Sequence, residues 1–349
     1  MRMKKIRTTL VAVSALTAVL GAGTAALADA ITGDLFYTRF SGAPNVKKVT
    51  FSYDGASTFT LGTPVAIGTT PGADGIAGNP KNADLLIVGG QGADISTISK
   101  STGAVTTVGS PVSVFHLEVP TSNVVLGSGI PGALARHSIG AGGALSGGTL
   151  IGLAGTDTTV TQVITTPSGF FYTTSGSGGF GNFGTLTFNT GNPETATGAT
   201  TSRLYGAGGS VSGLTLPAAH GGVYDPFTGS IILFGDDHIT QLSLTGTILS
   251  DIDFVAAGQS FISLDQGTVD GQGHAYAASN SGHLVFIDYA ASGLVGTGFR
   301  SVNFLDSNLD DVAPLVGSGS TSDIAEPGTL ALLGIGVMGL GALRRRRAG

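Results

Sequence analysis

The chain contains no cysteine and no tryptophan, and only 11% of its 349 residues are charged. Without cysteine it can form no disulfide framework, no thiolate metal site and no cysteine nucleophile. Glycine, by contrast, accounts for 58 residues. A composition rich in glycine and poor in charge disfavours long helices and indicates short strands joined by tight turns. We therefore expect an all-β fold that is stabilised by core burial and topology.

Basic residues are scarce in the middle of the chain. Residues 31–325 contain 8 Lys and Arg against 20 Asp and Glu, a net charge of −12. Because an acidic surface repels phosphate backbones, we expect no nucleic-acid partner. An acidic surface can bind divalent cations more easily, and Ca²⁺ is one such ion.

The chain also lacks the short motifs that mark common enzymes. It has no G-x-S-x-G nucleophile elbow, no phosphate-binding P-loop and no C-x-x-C pair. These motifs are typical of many hydrolases, nucleotidases and redox enzymes. We therefore assign no catalytic residue from the sequence, and we favour a non-enzymatic role.

The N-terminus has the pattern of a secretory signal peptide. A basic opening at residues 2–7 precedes an apolar run at residues 10–20, and A-x-A patterns end at Ala28 and Ala30. This order predicts export and cleavage by signal peptidase, with residues 1–30 removed. A permanent anchor is the alternative, but the apolar run is short for a bilayer.

The C-terminus has an equally ordered pattern. Residues 317–325, rich in Gly and Ser, predict a flexible linker. An apolar stretch at residues 329–343 then precedes an arginine cluster at residues 344–347. Fifteen helical residues are a minimal membrane span, and the arginines are expected to stay on the cytoplasmic side.

Glu326-Pro327, the apolar span and the terminal arginines together resemble the PEP-CTERM sorting signal of Gram-negative bacteria, with Ala325 in place of the first proline. The resemblance covers residues 326–349. It implies processing by an exosortase-type membrane enzyme, delivery to the cell surface or extracellular matrix, and contact there with exopolysaccharide or surface proteins. An uncleaved tail anchor is the alternative. The residues that correspond to the signal are Glu326, Pro327, Thr329, Arg344, Arg345, Arg346 and Arg347.

A four-strand pattern recurs through residues 31–316. Two turn sites, 20 to 24 residues apart, mark each copy, and the copies follow one another every 40 to 59 residues. The first turns are Asn79-Pro80, Val119-Pro120, Thr166-Pro167, Asp225-Pro226, Asp270-Gly271 and Ala313-Pro314. The later turns are at Gly103, Gly143, Gly191, Gly246 and Gly293. This spacing is typical of four-stranded propeller blades.

Five complete copies lie between about residues 71 and 300, and both ends of the domain supply the sixth. A strand at residues 309–315 is expected to join three strands within residues 33–67. Such closure removes a free sheet edge. We predict a six-bladed β-propeller, with seven blades or a two-sheet sandwich as alternatives. The middle resembles the sugar-lactonase-like and NHL-like propellers in its broad pattern.

Two polar clusters are candidate metal sites, although solvated loops explain both more simply. Asp236-Asp237-His238 stands at a turn between strands. Asp306-x-Asn308-x-Asp310 has the oxygen spacing that opens a calcium loop, but it lacks the turn glycine and the closing glutamate.

Three histidines stand near the starts of strands in different copies, at His116, His220 and His274. They could meet at a propeller axis, although such histidines more often bond to neighbouring blades. Glu118 and Glu194 are the glutamates of the domain, and a lactonase-type site uses a central glutamate. Phe180 and Phe183, in a glycine-rich segment, could stack on sugars.

Two functions therefore remain open. The favoured one is a surface or matrix protein whose propeller acts as a scaffold or binding module. The alternative is a metal-assisted hydrolase of the lactonase-like type. The two differ in whether the three histidines and several aspartates converge at one site.

Overall fold

The computed structural model describes residues 30–129, 133–174, 181–206, 209–210, 219–259 and 262–321. These residues form 25 β-strands and two three-residue 3-10 turns, Ala141–Gly143 and Val295–Thr297, so the all-β prediction is confirmed. Within these ranges no helix is long and apolar enough to cross a membrane. The predicted signal peptide, apart from Ala30, and the predicted membrane span lie outside the described residues.

One sheet contains strands from both ends of the domain. Its order is β25-β1-β2-β3, and β4 also pairs with β2. The strands are β1 (Ile31–Arg39), β2 (Val46–Tyr53), β3 (Phe59–Leu61), β4 (Val65–Gly68) and β25 (Leu309–Val312).

The pairing expected between the two ends is present in this sheet. Strands β1 and β25 are antiparallel, with Tyr37 opposite Val312 and Arg39 opposite Leu309. The single strand expected near residues 59–67 is instead divided into β3 and β4. The intervening residues include Pro64, which has no N–H for the ladder and so interrupts the pairing.

Three further sheets are four-stranded antiparallel meanders, each built from consecutive strands. The first contains β5 (Ile76–Gly78), β6 (Leu85–Gly89), β7 (Asp94–Ser99) and β8 (Val105–Gly109). The second contains β17 (Gly221–Asp225), β18 (Ser230–Gly235), β19 (His238–Leu242) and β20 (Ile248–Asp253). The third contains β21 (Leu264–Val269), β22 (His274–Ser279), β23 (His283–Asp288) and β24 (Phe299–Phe304).

The remaining sheet has eight strands and consists of two such meanders joined by the parallel pair β12 and β16. Its end strands, β9 and β13, contact each other. The first meander contains β9 (His116–Thr121), β10 (Val124–Gly129), β11 (Ala133–Ser138) and β12 (Thr149–Gly155). The second contains β13 (Gln162–Thr166), β14 (Gly169–Thr173), β15 (Phe183–Phe188) and β16 (Gly198–Tyr205).

We number the strand groups as units 1 to 6, with the sheet of β25 and β1–β4 as unit 1 and β5–β8, β9–β12, β13–β16, β17–β20 and β21–β24 as units 2 to 6. The first strand of each unit contacts the first strand of the next: β5 contacts β9, β9 contacts β13, β13 contacts β17, β17 contacts β21, and β21 contacts β25. Strand β1, which pairs with β25 in unit 1, contacts β5. Six clusters of buried apolar side chains fill the spaces between neighbouring units. One of them joins unit 6 to unit 1, where the rings of Phe59 and Phe286 stack with centroids 4.2 Å apart. The six spaces therefore form a closed series.

The beginning of the predicted linker at residues 317–325 is attached to the domain. The Gly78 N–H donates a hydrogen bond to the Gly319 carbonyl at 2.7 Å, and the Thr321 N–H donates to the Pro314 carbonyl at 2.8 Å. A Cβ at Gly78 would approach the Ser320 carbonyl oxygen, so glycine permits this close contact. Residues 317–321 are thus part of the folded domain.

Candidate functional site

A cavity of about 340 Å³ lies where the first strands of the six units begin. Each unit contributes a lining residue that stands within two positions of the start of its first strand. In order from unit 1 to unit 6, these residues are Asp310, Asp74, His116, Thr161, His220 and Asp265. The ring of strand starts thus brings two histidines and three aspartates to one place, and we call it the His–Asp cavity.

His116 is held by a carboxylate on one side and faces the cavity on the other. Its Nδ1 lies 3.1 Å from Asp311 Oδ2. The carboxylate accepts a hydrogen bond from Nδ1–H, so Nε2 is the nitrogen that carries the lone pair whenever the ring is neutral. That Nε2 atom is buried, has no hydrogen-bond partner among the described residues, and lies 3.7 Å from Asp265 Oδ1.

His220 lies beside His116, with the two ring centroids 4.9 Å apart and the rings nearly perpendicular. Its Nδ1 contacts Asp265 Oδ1, and the Asn280 side-chain amide donates to Asp265 Oδ2 at 3.1 Å. The His220 side chain is about a third exposed, so the cavity opens to solvent on its side. One carboxylate thus stands between two imidazoles.

The cavity and its rim hold more acid than base. Asp74, Asp265, Asp310 and Asp311 are all buried, and Asp74 Oδ2, Asp310 Oδ2 and Asp311 Oδ1 find no hydrogen-bond partner within the described part of the chain. Oxygens that are both buried and unpaired carry a large desolvation cost, which a proton or a bound cation can relieve.

The pKa values follow from this crowding. Burial and the neighbouring carboxylates raise the pKa of Asp310 well above its usual range and that of Asp311 to about 6. Burial also opposes ionisation of Asp265, but His220 and His116 outweigh it and hold the pKa of Asp265 below its usual range. Burial disfavours protonation of His116, yet Asp311 and Asp265 raise its pKa to about 9.

His274, the third histidine considered from the sequence, does not join this group. Its Nδ1 lies 2.7 Å from Asp270 Oδ2 and its Nε2 lies 3.7 Å from Asp288 Oδ1. The ring also stacks on Phe286, with centroids 5.7 Å apart. It also contacts Tyr53 of unit 1, with centroids 5.9 Å apart, so it packs at the joint between units 6 and 1, and only two of the three histidines meet.

The Asp236-Asp237-His238 turn lies between β18 and β19. Its His238 Nδ1 is 3.0 Å from Asp251 Oδ2, while Nε2 is 3.6 Å from Asp237 Oδ1 and 3.9 Å from Asp253 Oδ2. All four side chains are partly exposed. Water can solvate every charge here, as expected for a polar hairpin.

The calcium-loop residues occupy different surroundings. Asp306 forms ion pairs with Lys47 at 2.6 Å and Arg39 at 3.4 Å. Asn308 adopts a positive φ of 58°, and its carbonyl accepts the Phe40 N–H. Asp310 lines the His–Asp cavity. The first residue of the loop thus neutralises two partly buried cations, whereas Asp310 belongs to the cavity.

The glutamates of the domain do not line the cavity. Burial raises the pKa of Glu118 to about 7, and its Oε1 accepts the Thr165 N–H at 3.2 Å. Glu194 is partly buried and accepts the Thr121 hydroxyl at 2.6 Å. A lactonase-type central glutamate is therefore not present among the residues that line the cavity.

Phe183 is fully buried and stacks on Phe171 with centroids 5.4 Å apart. It belongs to the core between units 4 and 5, so it cannot bind a sugar from solution. Phe180 lies outside the described residues.

Our sequence reasoning missed Asp74, Asp265 and Asp311. Asp74 and Asp265 stand within two residues of a first-strand start, the same position as His116 and His220, and Asp311 follows Asp310 directly. The signal that could have found them is a polar residue near the first-strand start of each copy. It becomes apparent when the strand starts of all six copies are aligned, not when each segment is searched for a local motif.

The crystal structure of Saccharomyces cerevisiae Sqt1 matches with a TM-score of 0.42 and 14% identity, over 67% of this chain. The match spans 62% of the Sqt1 chain. Among curated proteins, no significant match is found.

The sorting-signal residues, Glu326 to Arg347, lie outside the described residues, and the comparison that bears on them is one of sequence. Residues 324–347 match the family model described as the PEP-CTERM protein-sorting motif, which confirms the resemblance. The motif implies export, surface sorting and processing by an exosortase-type membrane enzyme. The chain is thus an all-β protein that carries a PEP-CTERM protein-sorting motif at its C-terminal end.

Proposed function

We propose that this protein is a cell-surface or extracellular-matrix scaffold or binding module, delivered by the exosortase route. The observation that carries the proposal is the sorting motif at residues 324–347, which lies C-terminal to the all-β fold of the described residues. Exopolysaccharide or other surface proteins are the partners that fit this destination. Loops on a rigid β-scaffold are well suited to such contacts.

The folded domain of this proposal is a six-bladed β-propeller whose strands lie within residues 31–316. Five four-stranded units and one five-stranded unit, a continuous series of contacts between their first strands, and six apolar clusters between neighbouring units support that architecture. The pairing of β25 with β1 would then close the ring and leave no free edge at the joint.

The proposed route to the surface has three steps. Signal peptidase removes residues 1–30, with Ala28 or Ala30 at the cleavage site. The apolar span at residues 329–343 then halts in the inner membrane, held by the arginines at its cytoplasmic end. Cleavage near Glu326 and Pro327 finally releases the domain.

Substitution of the motif tests this route. With Glu326→Ala and Pro327→Ala together, the chain should remain full-length in the membrane fraction, because the span stays while the recognised residues are gone. The wild-type chain should be shortened and reach the surface or medium. Fractionation with intact-mass measurement distinguishes the two results.

The matched control is Glu194→Ala, which removes a partly exposed glutamate from the folded domain and should be sorted like the wild type. A host that lacks the exosortase should retain the wild-type chain in its membrane. Equal release of the wild-type chain with and without the exosortase would contradict the proposal.

A metal-assisted hydrolase is the second candidate, favoured by the meeting of His116, His220 and Asp265 in a solvent-accessible cavity. If this function is correct, the chain hydrolyses lactones or esters when supplied with a divalent ion, and Asp265→Asn abolishes the activity. Absence of hydrolysis across such a panel, with normal surface sorting, would leave the scaffold role in place.

A further inference from the structure

We propose that the His–Asp cavity binds one divalent transition-metal ion, with Zn²⁺ the best fit, through His116 Nε2, His220 and a carboxylate oxygen of Asp265. This site is independent of the sorting route. It rests on the placement of three side chains contributed by units 3, 5 and 6.

His116 has the orientation of a metal ligand. In metal sites, a ligating histidine commonly donates its second ring N–H to a carboxylate, which fixes the tautomer and makes the other nitrogen more basic. Asp311 occupies that supporting position, 3.1 Å from Nδ1. The Nε2 atom is buried and no described residue bonds to it, so a metal ion can take this position in place of the second ring proton.

The distances suit a single ion. The ligand atoms of His116, His220 and Asp265 all lie within 4.8 Å of one another, and His116 Nε2 is 3.7 Å from Asp265 Oδ1. A zinc ion with bonds of about 2.0–2.2 Å in tetrahedral geometry holds two ligand atoms about 3.4 Å apart. Small side-chain rotations therefore bring the three groups into coordination.

The charge around the site favours a cation. Asp265, Asp310 and Asp311 also offer ligand atoms within 4.8 Å of one another, all on buried side chains. Asp310 Oδ2 has no partner within the described ranges and lines the same cavity, where it lies near Asp265 and Asp311. A divalent ion held by Asp265 would offset this excess of buried carboxylates.

The donor set selects the class of ion. Two imidazoles with carboxylate oxygen suit zinc and its neighbours, whereas Ca²⁺ and Mg²⁺ prefer oxygen ligands alone. The partly exposed edge of His220 provides access from solvent. The Asp237-His238-Asp253 group offers similar atoms, but all three side chains are solvated and none has an orphaned buried atom.

Metal binding to the full-length chain, purified in detergent and stripped with a chelator, tests the site. Titration with Zn²⁺ alone against a chromophoric chelator should show one ion per chain. His220→Gln and Asp265→Asn should each weaken binding by at least about tenfold, and Asp311→Asn by roughly tenfold through loss of support for His116. Saturating Zn²⁺ should raise the wild-type unfolding midpoint.

His238→Gln is the matched control, because it removes a histidine from the solvated cluster and should leave Zn²⁺ affinity unchanged. His220 is partly exposed, so its variant should fold, and circular dichroism checks this. The proposal is overturned if the wild type binds no Zn²⁺, if a folded His220→Gln variant binds as tightly as the wild type, or if Ca²⁺ binds more tightly than Zn²⁺. Loss of binding in His238→Gln alone would place the ion elsewhere and also overturn it.

Discussion

A chain that stops after Leu305 is expected not to fold, whereas a chain that stops after Thr321 should fold cooperatively. The shorter chain lacks β25, which pairs with β1 and contributes Leu309 and Val312 to the core cluster between units 6 and 1, and it also lacks Leu315 of the same cluster. Each of these side chains is worth about 1.5–3 kcal/mol when buried. Their loss approaches the roughly 5–15 kcal/mol that stabilises a typical domain.

The two truncations are matched, since both remove the sorting motif and only the shorter one removes the closing strand. Far-ultraviolet circular dichroism and urea unfolding are the measurements. The longer chain should show one steep transition, and the shorter chain none. A cooperative transition of similar midpoint in both would show that β25 contributes little to stability.

Asp157→Asn should destabilise the domain by about 3 kcal/mol, the lower end for breaking a buried ion pair. Asp157 is buried, accepts the Arg203 Nε–H at 2.9 Å and the Asn182 amide at 2.7 Å, and receives the Tyr172 hydroxyl. Asparagine has one accepting oxygen and turns an amide toward the guanidinium. Arg203 then loses its charged partner in unit 4.

This difference should depend on pH. Burial opposes ionisation of Asp157, but the bonds from Arg203, Tyr172 and Asn182 hold its pKa below the ordinary 3.8. A carboxyl whose folded pKa is depressed stabilises the protein above its unfolded pKa and loses that contribution as pH falls through the folded value. The difference in unfolding free energy between the wild type and Asp157→Asn should thus have its full size at pH 7 and become smaller in strong acid.

Asp34→Asn is the control for this prediction. Asp34 forms an ion pair with Lys48 at 2.9 Å on an exposed surface, so its loss should cost less than about 1 kcal/mol. Urea denaturation of the wild type, Asp157→Asn and Asp34→Asn at pH 7 gives the loss of unfolding free energy for each substitution. Equal destabilisation by the two substitutions would mean that burial of the Asp157 pair has no energetic consequence.

Local signals made the strand order predictable. Asn79-Pro80 lies between β5 and β6, and Gly103, with a φ of 71°, lies between β7 and β8. Such residues act through their own backbone geometry, so they mark a turn whatever surrounds them. The parallel pair of β12 with β16 has no comparable mark, because it depends on where two sheet edges come to lie.

The cavity was predictable only in part for a related reason. His116 and His220 could be noticed in the sequence because histidines are rare and these two stand at strand starts. The sequence around Asp265 and Asp270, however, does not show which of the two aspartates lines the cavity. Asp270 stands four residues before His274 and bonds it within unit 6, whereas Asp265 reaches the histidines of two other units. Convergence of that kind is set by how the units are arranged around the ring, which no single segment encodes.

The pairing of β25 with β1 also has a consequence for the timing of export. Thr38 and Asp311, which bond to each other, are separated by 273 positions, so the first strand of the domain must wait for the last before it gains this neighbour. Contacts this remote in sequence form slowly. Eleven residues, 313–323, separate β25 from the matched sorting motif. On the export route proposed above, the domain would therefore complete its fold only when nearly all of the chain before the motif has crossed the membrane.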